Sequence, residues 1–109
     1  LAGDTAVRLH CHNTRNTGIA NVYAALQVGV RIFDASCGGV GGCPFAPGAT
    51  GNVGTEDLAY LFTRMGYDCG IALPALIDVS KWLAGPLGSQ PPAMVSRASL
   101  FPPARVAAG

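Results

Sequence analysis

The chain has 109 residues, of which half are hydrophobic and 12% are charged, and its formal net charge is +1. This composition is typical of a buried α/β core and excludes a disordered tail, a coiled coil and a nucleic-acid-binding domain. No apolar run approaches the length that spans a bilayer. From the run length and the composition together, we expect neither a membrane nor a nucleic-acid partner. The chain opens at Leu1 rather than Met, so the absence of targeting signals means little.

The cysteines form no C-x-x-C pair and show no zinc-ribbon spacing. An even number of cysteines in a secreted chain would favour disulfides. The low charge and the alternation of strand and helix patterns instead favour free thiols in a cytoplasmic enzyme, with the mitochondrial matrix as the alternative in a eukaryote. The four cysteines are Cys11, Cys37, Cys43 and Cys69.

The first predicted element is a strand over residues 6–12, AVRLHCH, which ends before a polar break at Asn13 and Thr14. Side chains at i and i+2 share a face of a strand, so His10 and His12 project together. Two adjacent imidazoles can chelate one divalent ion. The alternative is one buried and one surface histidine with no shared role, because H-x-H alone is a weak metal signal.

Residues 17–28 are predicted to form a helix that ends at Gly29, because apolar side chains recur at i, i+3, i+4 and i+7. The next strand spans residues 30–36, VRIFDAS, and is short and mostly apolar, like a buried parallel strand. Asp34 in this strand is either a site residue that faces the lumen of a barrel or a structural residue.

The segment Gly38–Asn52, GGVGGCPFAPGATGN, predicts a long loop without secondary structure. Such loops are usually functional or disordered. Cys43 lies in the middle of the loop, after paired glycines that let the backbone approach a ligand closely. This placement favours a functional loop, with disorder as the alternative.

A second helix is predicted to begin at Thr55, which suits an N-cap, with Glu56 and Asp57 at the positive end of the helix dipole. Its apolar stripe ends at Gly66. Residues 67–73 are a strand candidate, and Pro74 suits the first turn of a last helix. The large side chains expected in the core are Phe62, Met65 and Trp82.

Strands that alternate with helices predict parallel pairing and right-handed crossovers. Three strands do not close a sheet, and a (β/α)8 barrel needs around 250 residues. We therefore predict an α/β fold: the C-terminal part of a TIM barrel, with about three β/α units, over residues 1–84. Residues 85–109 would be a Pro/Gly-rich tail that wraps a surface or is partly disordered.

Four segments of the chain resemble hydroxymethylglutaryl-CoA lyases: HCHNT, ANVYAALQVGV, FDAS and GGVGGCPFAPGATGNVGTEDLAYLFTRMGYDCGI. Those enzymes belong to a superfamily of metal-dependent (β/α)8 lyases and Claisen-type synthases. The H-x-H motif selects only the superfamily, whereas the GGCPFAPGATGN loop points to the lyase branch.

The resemblance implies that His10 and His12 are metal ligands, that Asn52 adds a side-chain oxygen ligand, and that Cys43 is catalytic together with His10. It implies Mg²⁺ or Mn²⁺ as the cofactor, which imidazoles and oxygens suit. The implied reaction cleaves the acyl-CoA substrate 3-hydroxy-3-methylglutaryl-CoA to acetyl-CoA and acetoacetate, in leucine degradation and ketone body formation. The full-length enzyme would be a homodimer.

Three alternatives stay open. The first is a lyase for a related 3-hydroxyacyl-CoA such as citramalyl-CoA, since the chain departs from the family pattern at RNTG (residues 15–18) and at Cys37, where an apolar residue is expected. The second is a Claisen-type synthase, although those enzymes resemble the chain at H-x-H and not at GGCPFA. The third is an inactive truncated chain or a subunit that completes a barrel with a partner.

We predict that the isolated 109-residue chain does not cleave hydroxymethylglutaryl-CoA when Mn²⁺ is supplied. The resemblance places a further aspartate ligand and a catalytic arginine after the first barrel strand, which this sequence does not contain. The measurement is acetoacetate release against a no-protein blank. Release above that blank by the chain alone would contradict the prediction.

Overall fold

A computed structural model describes residues 3–42, 51–98 and 100–103 of the chain. Within these residues, strands and helices alternate along the first half, as predicted, and two helices follow the glycine-rich segment. The elements are β1 (Arg8–His10), α1 (Gly18–Gln27), β2 (Ile32–Asp34), a 3-10 turn (Cys37–Gly39), α2 (Thr55–Arg64) and α3 (Leu73–Leu87). None of the described helices is long and apolar enough to cross a membrane.

The strands β1 and β2 pair in parallel, with Leu9 opposite Phe33. A parallel pair needs a crossover connection, which α1 provides. The predicted parallel pairing is confirmed, although both strands are three residues long and therefore shorter than the predicted ranges. By itself, a two-stranded sheet is at best marginally stable in water.

Helix α1 agrees with its predicted range to within one residue at each end. Val22 and Leu26 are buried on its inner face, and Gly29 ends it at a φ of +104°. The first helical residue is Gly18. Glycine is needed at this position because a Cβ would lie 2.7 Å from the carbonyl oxygen of His12. The side chain of Asn13 accepts a hydrogen bond from the Gly18 N–H at 3.2 Å, which ties the helix start to the end of β1.

The predicted N-cap of α2 is wrong by one residue. Gly54 is the N-cap, and Thr55 is the first helical residue. Gly54 has an extended backbone (φ −72°, ψ 132°), as an N-cap residue does, whereas Thr55 is already helical. Glycine fits at the cap because a Cβ there would lie 2.7 Å from the Cβ of Ala93. The helix ends as predicted, at Gly66 with a φ of +93°.

The predicted strand over residues 67–73 does not form. Asp68 accepts a hydrogen bond from the Gly70 N–H at 2.9 Å, and Gly70 has a φ of +71°. This Asx-type turn interrupts an extended run. Tyr67 and Ile71 remain exposed, with no neighbouring strand in the described structure to pair with.

Helix α3 continues through Leu87, past the predicted start of the tail at Gly85, and ends at Gly88 in the left-handed conformation. The chain then folds back, and Pro91 and Ala93 are buried. Of the two alternatives for the tail, the described residues therefore wrap a surface. The division of the chain between residues 84 and 85 stays a prediction.

The core lies between β1, α1, the segment after the glycine loop, and α2. Trp82 is 67% exposed, contrary to the prediction, because α3 packs through Ser80 and a residue two positions further lies on the opposite face of a helix. Phe62 packs against the core as predicted. The buried cluster consists of Cys11, Val22, Val53 and Leu58.

We predict that Leu58→Ala lowers the free energy of unfolding of the full-length protein by about 2–5 kcal/mol, the usual cost of truncating a buried leucine. Leu58 is 4% exposed and belongs to the core cluster. Urea denaturation followed by circular dichroism gives the value. Leu87→Ala is the matched control, because Leu87 is 46% exposed; equal losses in both variants would contradict this assignment of the core.

Candidate metal centre

The imidazoles of His10 and His12 converge at the C-terminal end of β1. Their Nε2 atoms are 3.1 Å apart, and the rings lie edge to face with their centroids 5.1 Å apart. The expectation that the two side chains share a face is therefore confirmed. Two ligands about 2.1 Å from one ion and at a right angle around it are about 3 Å apart. The pair consequently fits a shared divalent cation.

Asn52 is brought to the same face by backbone pairing. Asn52 and His12 form an antiparallel bridge, and residues directly opposite each other in such a pair project to the same side. The Asn52 Nδ2 atom donates a hydrogen bond to the carbonyl oxygen of Val40 at 3.0 Å. This bond turns Nδ2 towards Val40, and Oδ1, which carries the amide's lone pairs, is the atom that can act as an oxygen ligand.

The glycines before Cys43 let the backbone pack directly against Asn52. A Cβ at Gly41 would lie 2.8 Å from Asn52 Nδ2, and a Cβ at Gly39 would lie 3.2 Å from the Asn52 carbonyl oxygen. Both glycines also have positive φ values, +105° and +69° respectively, which side chains disfavour. Close packing of this segment therefore requires glycine at these positions.

Glu56 is the functional candidate that the sequence analysis missed. It was assigned to the helix dipole, yet its side chain is fully buried, and Oε1 accepts a hydrogen bond from the Gly38 N–H at 2.7 Å. Its Oε2 atom has no hydrogen-bond partner among the described residues. The sequence feature that hints at the burial of Glu56 is the small residue Ala59, which lies three positions later on the same face of α2. Ala59 is also buried, so α2 has a second packed face.

The segment after α3 is held against the start of α2. The Asp57 carboxylate accepts backbone N–H groups from Val95 at 2.8 Å and from Met94 at 3.3 Å. The N–H of Ala93 donates to the Gly38 carbonyl oxygen at 2.9 Å. The tail thus contacts the same glycine that Glu56 binds.

The described cysteines are free thiols, as expected: Cys11, Cys37 and Cys69. Burial raises the pKa of the Cys11 thiol, and burial together with the negative charge of Glu56 raises the pKa of Cys37. Both therefore stay protonated at neutral pH and are poor metal ligands. Cys43 lies outside the described residues, so its predicted catalytic role stays a prediction.

Asp34 lies at the end of β2, opposite His10 in the sheet. Its carboxylate is 3.6 Å from the Arg8 guanidinium; the Arg8 side chain is largely exposed and the Asp34 side chain about half exposed. Within the described ranges, no group of three His, Cys, Asp or Glu side chains is placed to hold a metal. The described residues therefore offer two imidazoles and one amide oxygen, which is part of a coordination shell.

A parallel β-α-β unit occurs both in (β/α) barrels and in open doubly wound sheets. Paired histidines at the C-terminal end of its first strand lie where a (β/α) barrel carries its active-site residues. Comparison with protein-family models matches residues 2–83 to the HMGL-like family. The chain belongs to this family, whose members depend on a divalent metal.

The chain is similar to curated proteins that are named as acyl-CoA lyases. The chain is 58% identical over 95 residues to an (R)-citramalyl-CoA lyase of Chloroflexus aurantiacus, and the match covers 87% of this chain and 30% of the relative. It is 50% identical over 98 residues to a hydroxymethylglutaryl-CoA lyase of Pseudomonas mevalonii, covering 90% of this chain and 32% of the relative. The chain thus spans about 30% of the length of these curated relatives.

Among solved structures, the chain is similar to an HMG-CoA lyase from Acinetobacter baumannii in complex with coenzyme A and 3-methylmalate. The TM-score is 0.79 at 50% sequence identity, and the match covers 84% of this chain and 30% of that one. The prediction that the chain forms part of a TIM barrel is therefore confirmed.

We predict that Asn52→Ala weakens Mn²⁺ binding by the full-length protein, because it removes the expected oxygen ligand and the hydrogen bond that orients it. Loss of one ligand should raise the dissociation constant at least about 10-fold, as loss of a mere supporting partner already does. Electron paramagnetic resonance titration of free Mn²⁺ measures it. Asn21→Ala, an exposed asparagine on α1, is the control, and equal affinity in both variants would contradict the ligand role.

Proposed function

We propose that the protein containing this chain is a divalent-metal-dependent lyase that cleaves a carbon–carbon bond of a 3-hydroxyacyl-CoA. The first candidate substrate is 3-hydroxy-3-methylglutaryl-CoA, with acetyl-CoA and acetoacetate, a ketone body, as products. The observation that carries the proposal is the convergence of His10, His12 and Asn52 on one face. They converge in a chain that is 50% identical to a hydroxymethylglutaryl-CoA lyase over 98 residues.

A second candidate substrate is (R)-citramalyl-CoA, which the same bond cleavage would convert to acetyl-CoA and pyruvate. The identity of 58% to a lyase named for that substrate favours it. Both substrates carry a tertiary hydroxyl three carbons from the sulfur, so the same site serves either one. The two differ only in the group at the far end of the acyl chain.

The residues at the site have distinct tasks in the proposed reaction. His10 and His12 would hold the cation through imidazole nitrogens, and Asn52 would add Oδ1, oriented by the hydrogen bond from Nδ2 to the Val40 carbonyl oxygen. A bound divalent cation, Mg²⁺ or Mn²⁺, supplies Lewis-acid polarisation of substrate oxygens. We also propose a catalytic role for His10; His10 and His12 are both exposed, which leaves the substrate hydroxyl access to the site.

Cys43 is proposed to complete the proton balance. As the bond between the hydroxyl-bearing carbon and the methylene carbon breaks, the hydroxyl-bearing carbon becomes a ketone and its hydroxyl releases a proton to solvent, from which Cys43 is reprotonated after the products leave. The electron pair of the broken bond goes to the methylene carbon, which gains a proton. A thiol on the glycine-rich loop is suited to give that proton. Closure of such a loop over the substrate excludes bulk water from the carbanion.

We further propose that the enzyme is a homodimer of the cytoplasm, or of the mitochondrial matrix in a eukaryote.

The test uses the protein translated from the complete reading frame that contains this sequence. We expect Mn²⁺-dependent release of acetoacetate from hydroxymethylglutaryl-CoA or of pyruvate from citramalyl-CoA. Cys43→Ala should lower kcat by at least about 100-fold, the usual contribution of a general acid.

Cys69→Ala is the matched control, because Cys69 is an exposed free thiol with no role in the proposed reaction. Wild-type cleavage of citramalyl-CoA alone would keep the mechanism and change the substrate. Metal binding without cleavage of either thioester would overturn the proposal and favour a synthase or an inactive chain.

A further inference from the structure

Glu56 is a buried acid that stability alone does not explain. Its side chain is fully buried, and its single hydrogen bond in the described structure comes from the Gly38 N–H. A carboxylate removed from water with one oxygen unpartnered is unfavourable, and an apolar side chain at such a position is often neutral or stabilising. The acid is therefore best explained by what it does to Gly38.

Gly38 is held on both sides of its backbone. Its N–H donates to Glu56 Oε1 at 2.7 Å, and its carbonyl oxygen accepts from the Ala93 N–H at 2.9 Å. The residue has a φ of +72°, and a Cβ would lie 2.7 Å from the Cβ of Pro91. These contacts fix the direction in which the chain leaves the 3-10 turn.

The segment that leaves Gly38 makes the contacts that orient Asn52. The carbonyl oxygen of Val40 accepts from Asn52 Nδ2 at 3.0 Å, and that of Gly41 accepts from the Asn52 N–H at 3.0 Å. Both the side-chain nitrogen and the backbone nitrogen of Asn52 thus donate hydrogen bonds to this short segment. A change in its path would rotate the amide away from the histidines.

We infer that Glu56 is a positioning residue of the candidate metal centre: its buried carboxylate holds segment Gly38–Gly41 where that segment presents Asn52 Oδ1 to the metal. The inference rests on the proposed function, because it needs Asn52 to be a ligand. It adds that the affinity for the metal depends on a side chain that does not touch the metal. Such supporting partners typically change metal affinity by about 10–100-fold when removed.

Three substitutions of Glu56 separate the hydrogen bond from the charge. Glu56→Gln keeps an oxygen acceptor at the same reach and removes the charge. Glu56→Asp keeps the charge and withdraws the carboxylate by one methylene, whereas Glu56→Ala removes the acceptor. Asp68→Ala is the matched control, because Asp68 also accepts an N–H from a glycine, at 2.9 Å, but does so at an exposed site.

Two measurements on the full-length protein test the inference: the Mn²⁺ dissociation constant, and hydrogen–deuterium exchange of residues 38–41 in the metal-free protein. Glu56→Ala and Glu56→Asp should raise the dissociation constant at least about 10-fold and speed exchange in this segment. Glu56→Gln and Asp68→Ala should stay close to wild type in both. The melting temperature is recorded alongside, since a purely structural role would change it without changing the affinity of the folded protein.

Unchanged exchange and unchanged Mn²⁺ affinity in Glu56→Asp would overturn the inference. A lower melting temperature with wild-type affinity would overturn it as well. If Glu56→Ala does not fold, the comparison of Glu56→Gln with Glu56→Asp decides, and equal affinities there count against it. Failure of the wild-type protein to bind Mn²⁺ would instead refute the proposed function, and the exchange data would still report whether Glu56 holds the segment.

Discussion

The architecture depends on the backbone of residues 51–54, which runs along the ends of both strands. Gly51 accepts from the Asn13 N–H, Val53 donates to Cys11 and accepts from Ser36, and Ser36 in turn accepts from the N–H of Thr55. These bonds satisfy backbone groups beyond β1 and β2, where a short open sheet would otherwise leave them unpaired. They also bury Val53 in the core and set Asn52 beside the histidines. Fold and site thus share one constraint.

The same arrangement accounts for the composition around the glycine loop. Backbone from three directions meets near Gly38, Gly39 and Gly54, and a Cβ at each would lie within 3.2 Å of a neighbouring atom. Glycine is retained there because there is no room for a side chain, although it costs conformational entropy on folding. Asp57 and Glu56 use backbone N–H groups as partners, so polar bonds replace apolar packing at this end of the structure.

Local patterns predicted some of these features well and others poorly. The stripe of α1, its closing glycine and the shared face of His10 and His12 depend on neighbours in sequence, so periodicity revealed them. The prediction of a strand at residues 67–73 was wrong because an Asx-type turn forms there instead. In the described structure, no partner strand lies beside this segment. The side chain of Trp82 was misplaced because periodicity does not indicate which face of α3 meets the rest of the chain.

By itself, the sequence determined the alternation of strand and helix, the pairing of two imidazoles, and a resemblance specific enough to name a lyase family. These features are encoded by residue type and short spacing. Only the tertiary structure decided that Glu56 lies inside rather than at a solvated helix end, and that the tail bonds to Gly38. Those contacts join residues 18 and 55 positions apart, and no local pattern specifies which distant backbone groups a buried carboxylate or a returning chain will meet.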